Sequence, residues 1–196
     1  MTDQKIKIKI ILRKTRSRVS KYKKGRKGRE GEERFIVMGK MIRMKRLGEA
    51  DFLKVISLSL SIFKPEKGKE DPYHQLKKWK KNFKKEGLLI GAFVNDELAG
   101  YLFCYEKDSR QKVIHCWLAG TAEKYRRQGV FKRLMMELTR ILKKRGYKGL
   151  TINTYPEKFP AMYAYLTKHG FRKYKEKKKD WQGREISKLF FKKRFD

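Results

Sequence analysis

The sequence predicts an α/β protein: a mixed, mostly antiparallel central sheet flanked by helices on both faces. Three observations carry this expectation. Short apolar runs at Leu88–Val94, Leu98–Tyr105 and Val113–Gly120, joined by tight turn signals, read as an antiparallel meander. Amphipathic helical stripes lie before and after that meander. The resulting order from Met41 onward is β-α-α-β-β-β-α-β-α-β-β, and helices on both faces of one sheet are the economical way to bury so many stripes.

Each element has its own signal. Ile42-Arg43-Met44-Lys45-Arg46-Leu47 alternates as a first strand. Ala50–Phe63 sets Phe52, Leu53, Ile56, Leu58, Leu60 and Ile62 around a helix opened by Glu49 and Asp51, whose charges suit its N-terminus. Asp71-Pro72 opens a second helix to about Lys85, since proline tolerates the first turn. Its Tyr73, Leu76, Trp79 and Phe83 form a helical stripe, and Lys77, Lys78, Lys80, Lys81 and Lys84 cover the remainder. Asn95-Asp96 and Asp108–Gln111 turn the meander. Gly129–Arg145 is a strong helix with Phe131, Leu134, Met135, Leu138, Ile141 and Leu142 on one side, stopped by Gly146. Gly149–Thr154 reads as a buried strand, Pro160–His169 as a short helix ended by Gly170, and Phe171–Lys178 with Ile186–Phe195 as a closing hairpin.

Composition bounds the rest. The 196 residues fit one domain, or one domain with an appendage. Hydrophobic residues at 39% supply a core, so wholesale disorder is excluded. Charge is the outlier, 54 Lys plus Arg against 21 Asp plus Glu, and such a field attracts polyanions without specifying a fold. Residues 1–40 concentrate it, with 15 basic and 4 acidic side chains. There Lys5–Ile10 alternates like a strand, and Lys21–Arg34 reads as a flexible basic linker. The expected division is a basic, partly flexible extension over 1–40 and a folded domain over 41–196. The extension suits a nucleic-acid or ribosome contact, and equally a soluble tail upstream of alternative starts at Met38 and Met41. Cys104 and Cys116 sit in apolar strands and read as reduced core thiols. No apolar run reaches the ~18 residues of a membrane span, and no secretory signal opens the chain. A cytoplasmic location follows as the default.

The chemistry-bearing stretch is strand Trp117-Leu118-Ala119-Gly120, then Arg126-Arg127-Gln128-Gly129-Val130-Phe131-Lys132 at the head of the long helix. A helix N-terminus presents unpaired N–H groups and a positive dipole, which together bind anions. Gly129 permits a positive φ or a close backbone approach, and Arg126, Arg127 and Lys132 add full charges.

This segment resembles the pyrophosphate-binding motif of the GCN5-related N-acetyltransferase (GNAT) family, Arg/Gln-x-x-Gly-x-Gly/Ala, with Arg126 first and Gly129 fourth. The run Phe159–Phe171, ending in Gly170-Phe171, is similar to that family's helix leading into Gly-Phe. The resemblance covers 41–196 and implies an enzyme that passes an acetyl group from acetyl-CoA directly to a primary amine, with no metal. It implies backbone contacts to the pantetheine arm from Leu118, Ala119 and Gly120. The diphosphate would fall to the Arg126–Lys132 segment (Arg126, Arg127, Gln128, Gly129, Val130, Phe131 and Lys132), and Asn153 or Thr154 would line the far side of the thioester. Two departures stand out. Phe131 replaces the usual Gly or Ala, so its ring must turn inward or crowd the phosphates. Leu166 occupies the position of the tyrosine that often protonates the leaving thiolate; Tyr163, one turn earlier on the same face, is the candidate acid, with Tyr165 about 100° around.

Other residues carry two readings each. His115 serves as a general base or as a hydrogen-bonded, half-buried histidine. Glu106 and Glu123 are bases acting through water, or surface carboxylates. His74 and His169 read as helix-surface residues, and no His or Cys spacing suits a metal. The lysine-rich helix with Trp79 and Phe83 reads as a core stripe with solvated lysines or as a surface for a membrane or RNA, and the resemblance implies that it borders the acceptor pocket. The alternative to an enzyme is a catalytically weak acyl-CoA-binding or nucleic-acid-associated module on the same fold. Acceptor and oligomeric state leave no mark in the sequence.

Overall fold

The computed structural model describes residues 23–24, 32–37, 40–64, 71–181 and 183–195. Strands β1 (Lys23–Lys24), β2 (Glu32–Val37) and β3 (Lys40–Leu47) precede helices α1 (Phe52–Phe63) and α2 (Pro72–Phe83). The meander β4 (Leu88–Val94), β5 (Glu97–Asp108) and β6 (Val113–Thr121) leads into α3 (Val130–Lys144). Then come β7 (Gly149–Thr154), α4 (Pro160–Lys168), β8 (Arg172–Trp181) and β9 (Arg184–Arg194). Among the described residues, nine strands form one sheet in the order β1-β2-β3-β4-β5-β6-β7-β9-β8. Every neighbouring pair is antiparallel except β6 and β7. The expected α/β architecture, mixed sheet with helices on both faces, is what the chain adopts.

The local chemistry explains the boundaries. Asp71 caps α2 by accepting a hydrogen bond from the Tyr73 N–H at 2.9 Å, with Pro72 in the first turn. Asn95 and Asp96, at φ 48° and 63°, form the mirror-image turn that matches the twist of a two-residue hairpin. Gly146 and Gly170 end α3 and α4 at φ 73° and 75°.

Two cores fill the sheet faces. Ile42, Met44, Leu102, Cys104 and Cys116 meet Leu134, Leu138 and Leu142 of α3 and Leu166 of α4 on one side. Leu47, Tyr101 and Phe103 meet Phe52, Val55 and Ile56 of α1 and Trp79 of α2 on the other. Burial on both faces is why β4 and β5 read as nearly continuous apolar runs. Trp79, 1% exposed, packs its ring 4.8 Å from Phe103 and 5.9 Å from Phe52, and its truncation to alanine would cost about 3–5 kcal/mol. Cys104 and Cys116 are free, buried and opposite one another in the β5–β6 register.

Three expectations change. Within the stretch expected as a flexible linker, residues 23–24 and 32–34 are strand. β2 pairs with β3 from Glu32↔Lys45 to Val37↔Lys40, so the sheet continues upstream of Met41. The sequence Glu32-Glu33-Arg34-Phe35-Ile36-Val37 hides this because charged and apolar residues fall in blocks rather than alternating. The strand expected at Lys5–Ile10 lies outside the described residues. Tyr73, read as part of the α2 stripe, is 66% exposed, since it sits in the first turn beyond the reach of the aromatic core.

Candidate functional site

A break in the sheet makes the site. The parallel pairing of β6 with β7 runs from Val113↔Gly149 to Cys116↔Ile152 and stops there. On the other side of β6 the register to β5 passes from Cys104↔Cys116 to Phe103↔Leu118, leaving Trp117 as an extra, bulged residue. A bulge bends its strand and sharpens its twist, here at the residue after the last parallel pair. Beyond it, Leu118, Ala119 and Gly120 have no ladder partner on their β7 side.

That splay opens into a cleft of about 950 Å³. Leu118, Ala119 and Gly120 form one wall and Asn153 and Thr154 the other; Arg126, Arg127, Gly129, Val130, Phe131 and Lys132 close one end. Ile62 and Phe63 of α1, Cys116, Tyr155, and Phe159 through Met162 with Tyr165 of α4 complete it. The Phe63 and Phe159 rings meet edge to face at 5.4 Å, joining the two helix layers at its margin. Gly120 earns its place by packing: a Cβ there would sit 2.6 Å from the Ile62 Cδ1 atom.

The turn at the head of α3 leaves its backbone open. Arg127 and Gly129 both adopt the left-handed conformation, φ 60° and 76°. Gly129 is the N-cap residue, and no side chain caps the helix. Among the described residues, no backbone acceptor takes the N–H groups of Arg127 through Phe131. Unpaired amides at the positive end of a helix dipole are the kind of group that can bind an anion. The preceding turn is anchored: the Tyr125 hydroxyl donates to Glu97 at 2.8 Å, and the Lys124 ammonium reaches both carboxylate oxygens at 2.6 and 2.7 Å. Those two donors hold the Glu97 carboxyl below its ordinary range. Gln128 does not line the cleft; its side-chain amide donates back to the Lys124 carbonyl at 2.7 Å and so braces the turn. Arg126 lies 3.8 Å from Glu123, an exposed pair worth well under about 1 kcal/mol. Phe131 turns its ring inward against Tyr165, edge to face at 4.8 Å.

The tyrosines divide differently from expectation. Tyr163 is 39% exposed, packs against Phe191 and does not line the cleft. Tyr165 does line it. The turn-to-turn argument from Leu166 fails because Leu166 itself is fully buried, which rotates Tyr163 toward the outer end of β9. His169, expected on the helix surface, is half-buried and stacks on Tyr165 at 3.9 Å, its Nδ1–H donating to the Tyr165 carbonyl at 2.8 Å. Burial pushes the Tyr165 hydroxyl above its ordinary pKa.

Of the base candidates, none lines the cleft. Glu123 is exposed, and Glu106 carries a buried carboxylate oxygen without a hydrogen-bond partner. His115 is 4% exposed, with Thr151 Oγ1 3.0 Å from Nδ1 and Asn153 Nδ2 3.4 Å from Nε2. Burial first, then the charges of Lys107 and Lys188, lower its pKa to about 3. The ring therefore stays neutral at physiological pH and is a poor proton acceptor. A histidine neutral in the fold and protonated in the unfolded chain subtracts stability as pH falls below about 6.5. We expect urea unfolding to show a loss approaching about 1.4 kcal/mol per pH unit from this residue between pH 6 and 4. Relative to wild type, His115→Asn should flatten that slope; an unchanged slope would contradict the buried, neutral assignment.

No described helix is long and apolar enough to cross a membrane. Among the described residues, no three His, Cys, Asp or Glu side chains gather as a metal site.

With this geometry in view, the comparisons are informative. The profile described as the acetyltransferase (GNAT) family matches residues 53–171. No curated protein matches significantly. Among solved structures, a putative acetyltransferase from Acinetobacter baylyi ADP1 superposes with a TM-score of 0.67 at 15% identity, covering 80% of this chain and 94% of that one. A GNAT family acetyltransferase from Elizabethkingia anophelis, solved with acetyl-CoA bound, gives 0.60 at 19% identity, with 79% and 98% covered. The ribosomal-protein-S18-alanine N-acetyltransferase from Escherichia coli gives 0.65 at 15% identity, with 79% and 94% covered. At these identities the likeness is one of fold.

Proposed function

The chain belongs to the GNAT acetyltransferase family, and from that premise we propose that it transfers an acetyl group from acetyl-CoA directly to a primary amine. The observation that carries this reading is the coincidence of a splayed β6–β7 pair with an open helix N-terminus at the same cleft. The amides of Arg127 through Phe131 hold the diphosphate, with Arg126 and Lys132 adding charge. The free edge of Leu118–Gly120 receives the pantetheine amides as an added strand would. Asn153 or Thr154 faces the thioester from across the splay. The chain fixes donor and acceptor in one geometry, which is where much of the rate gain in a direct transfer arises.

A neutral amine attacks the thioester carbonyl, the C–S bond breaks, the nitrogen sheds its extra proton to solvent water, and the departing thiolate takes a proton from the protein. We assign that proton to Tyr165, the phenol on the α4 wall of the cleft. A tyrosine phenol carries its proton at neutral pH, and the His169 stack fixes its ring. Tyr165→Phe is expected to lower kcat about tenfold or more with CoA affinity within about twofold, while Tyr163→Phe leaves both unchanged. The reverse pattern would return the role to Tyr163. The function itself is tested by release of free CoA thiol from acetyl-CoA over a panel of small amines, polyamines and peptides with free amino groups. Acceptor-dependent release supports an enzyme; tight CoA binding with no release from any acceptor points to the non-catalytic module.

A further inference from the structure

The nine-stranded sheet is unequally covered. Helices α1 and α2 pack over β3 to β6, and their core contains no residue of β7, β8 or β9. On that same face the last strands carry a continuous run of rings and cations. The Lys78 ammonium lies 5.2 Å from the Trp117 ring centroid, and Trp117 meets Tyr105 at 6.1 Å. Tyr105 meets His115 at 5.7 Å, and Lys107 and Lys188 both bear on that histidine. Lys188 stands 5.5 Å from both the Tyr155 and Phe190 rings. Phe190 meets Tyr174 at 6.2 Å, and Lys192 lies 5.7 Å from Tyr174. The run crosses the splay and ends on the outer strand β8, where Tyr174 is 48% exposed.

Register separates charge by face. Arg172, Lys175 and Lys177 oppose Lys192, Phe190 and Lys188, and so share the uncovered side. Of the hairpin's three carboxylates, Glu176 opposes core-facing Leu189 and is held by Lys173 and Ser187. Glu185 pairs with Lys178, and Asp180 accepts from the Gly183 N–H near the tip. The acidic groups are thus taken up elsewhere, and the uncovered face is left cationic.

From this arrangement we infer that the uncovered face of β7, β9 and β8 binds single-stranded nucleic acid. Cations track a phosphate chain, and exposed Tyr174, beside the half-buried ring of Phe190, gives a base a surface to stack on. Three strands span about 10 Å at ~4.8 Å per gap, a width for about two bases. An ammonium over an exposed ring is the weaker contact, so a base displaces it and frees the lysine for a phosphate. A duplex hides its base faces and gains only the charge term. The inference stands apart from the acetyl-transfer reading, and its test uses no acetyl-CoA.

The experiment is fluorescence anisotropy of the full chain with a labelled oligouridylate of about 15 nucleotides and, in parallel, with inorganic polyphosphate as competitor. Variants are compared only if they melt cooperatively near the wild-type temperature. Lys175→Glu with Lys177→Glu and Lys192→Glu is expected to weaken oligonucleotide binding at least about tenfold. The matched reversal Lys144→Glu, Arg145→Glu and Lys168→Glu, in the opposite helix layer, changes it by no more than about threefold, because screening confines the effect to about 10 Å. Tyr174→Ala weakens the oligonucleotide about fivefold and leaves polyphosphate unaffected, and Tyr174→Trp restores binding. Equal losses from the two triple reversals would overturn the inference. So would a Tyr174→Ala variant that treats both polyanions alike.

Discussion

Gly129→Val is expected to remove most coenzyme A binding, raising Kd about a hundredfold, while the protein remains folded. Gly129 holds φ 76° at the N-cap of α3. A β-branched residue resists that conformation by upwards of about 1–2 kcal/mol. The relaxed turn swings its amides away from a common focus. A diphosphate held by several charge-assisted hydrogen bonds then loses more than one, each worth about 1.5–3 kcal/mol. The core under α3, from Val130 through Leu142, does not depend on this turn, so the melting temperature should fall by only a few degrees. Titration calorimetry with CoA alongside thermal melting separates the two effects. Normal affinity in a folded variant would mean the turn does not hold the ligand.

The second large effect is electrostatic. Arg126→Glu replaces a cation at the cleft end with an anion beside Glu123, whose exposed carboxylate already lies 3.8 Å from the guanidinium. The change is two charge units at a site meant for a diphosphate. We expect CoA affinity to fall about 30-fold to 100-fold at low salt and by less at high salt, since the groups are exposed and screened. Arg126→Gln should lose only part of this. A salt-independent loss would point to misfolding of the turn rather than to lost attraction, and unchanged affinity would take Arg126 out of the binding role.

The parts of the molecule that were legible in the sequence are those governed by local rules. The Asn95-Asp96 hairpin, the glycine stops at Gly146 and Gly170, the proline-opened α2 and α4, and the long α3 stripe each depend on a few neighbouring residues. The open turn at Gly129 was legible for the same reason, because a glycine before a strong helix is a local signal. What the sequence hid is set by pairing between distant segments. The bulge at Trp117 exists only relative to Cys104 and Phe103 across the β5–β6 ladder. β2 is strand because β3 offers it an edge, not because residues 32–37 alternate. The exchange of Tyr163 for Tyr165 at the cleft wall turned on how deeply Leu166 seats in the core, a packing outcome that helical periodicity leaves open. The uncovered cationic face likewise follows from where α1 and α2 end on the sheet, which no stretch of sequence records.

The whole functional reading depends on phosphates meeting the amides that precede α3. A crystal structure of the chain grown with coenzyme A is the most direct measurement. The expected result is diphosphate density within hydrogen-bond distance of the Gln128 to Phe131 N–H groups, with the pantetheine arm running between Leu118–Gly120 and Asn153. Phosphates bound on the lysine-rich β8–β9 face instead, with the β6–β7 splay empty, would contradict it.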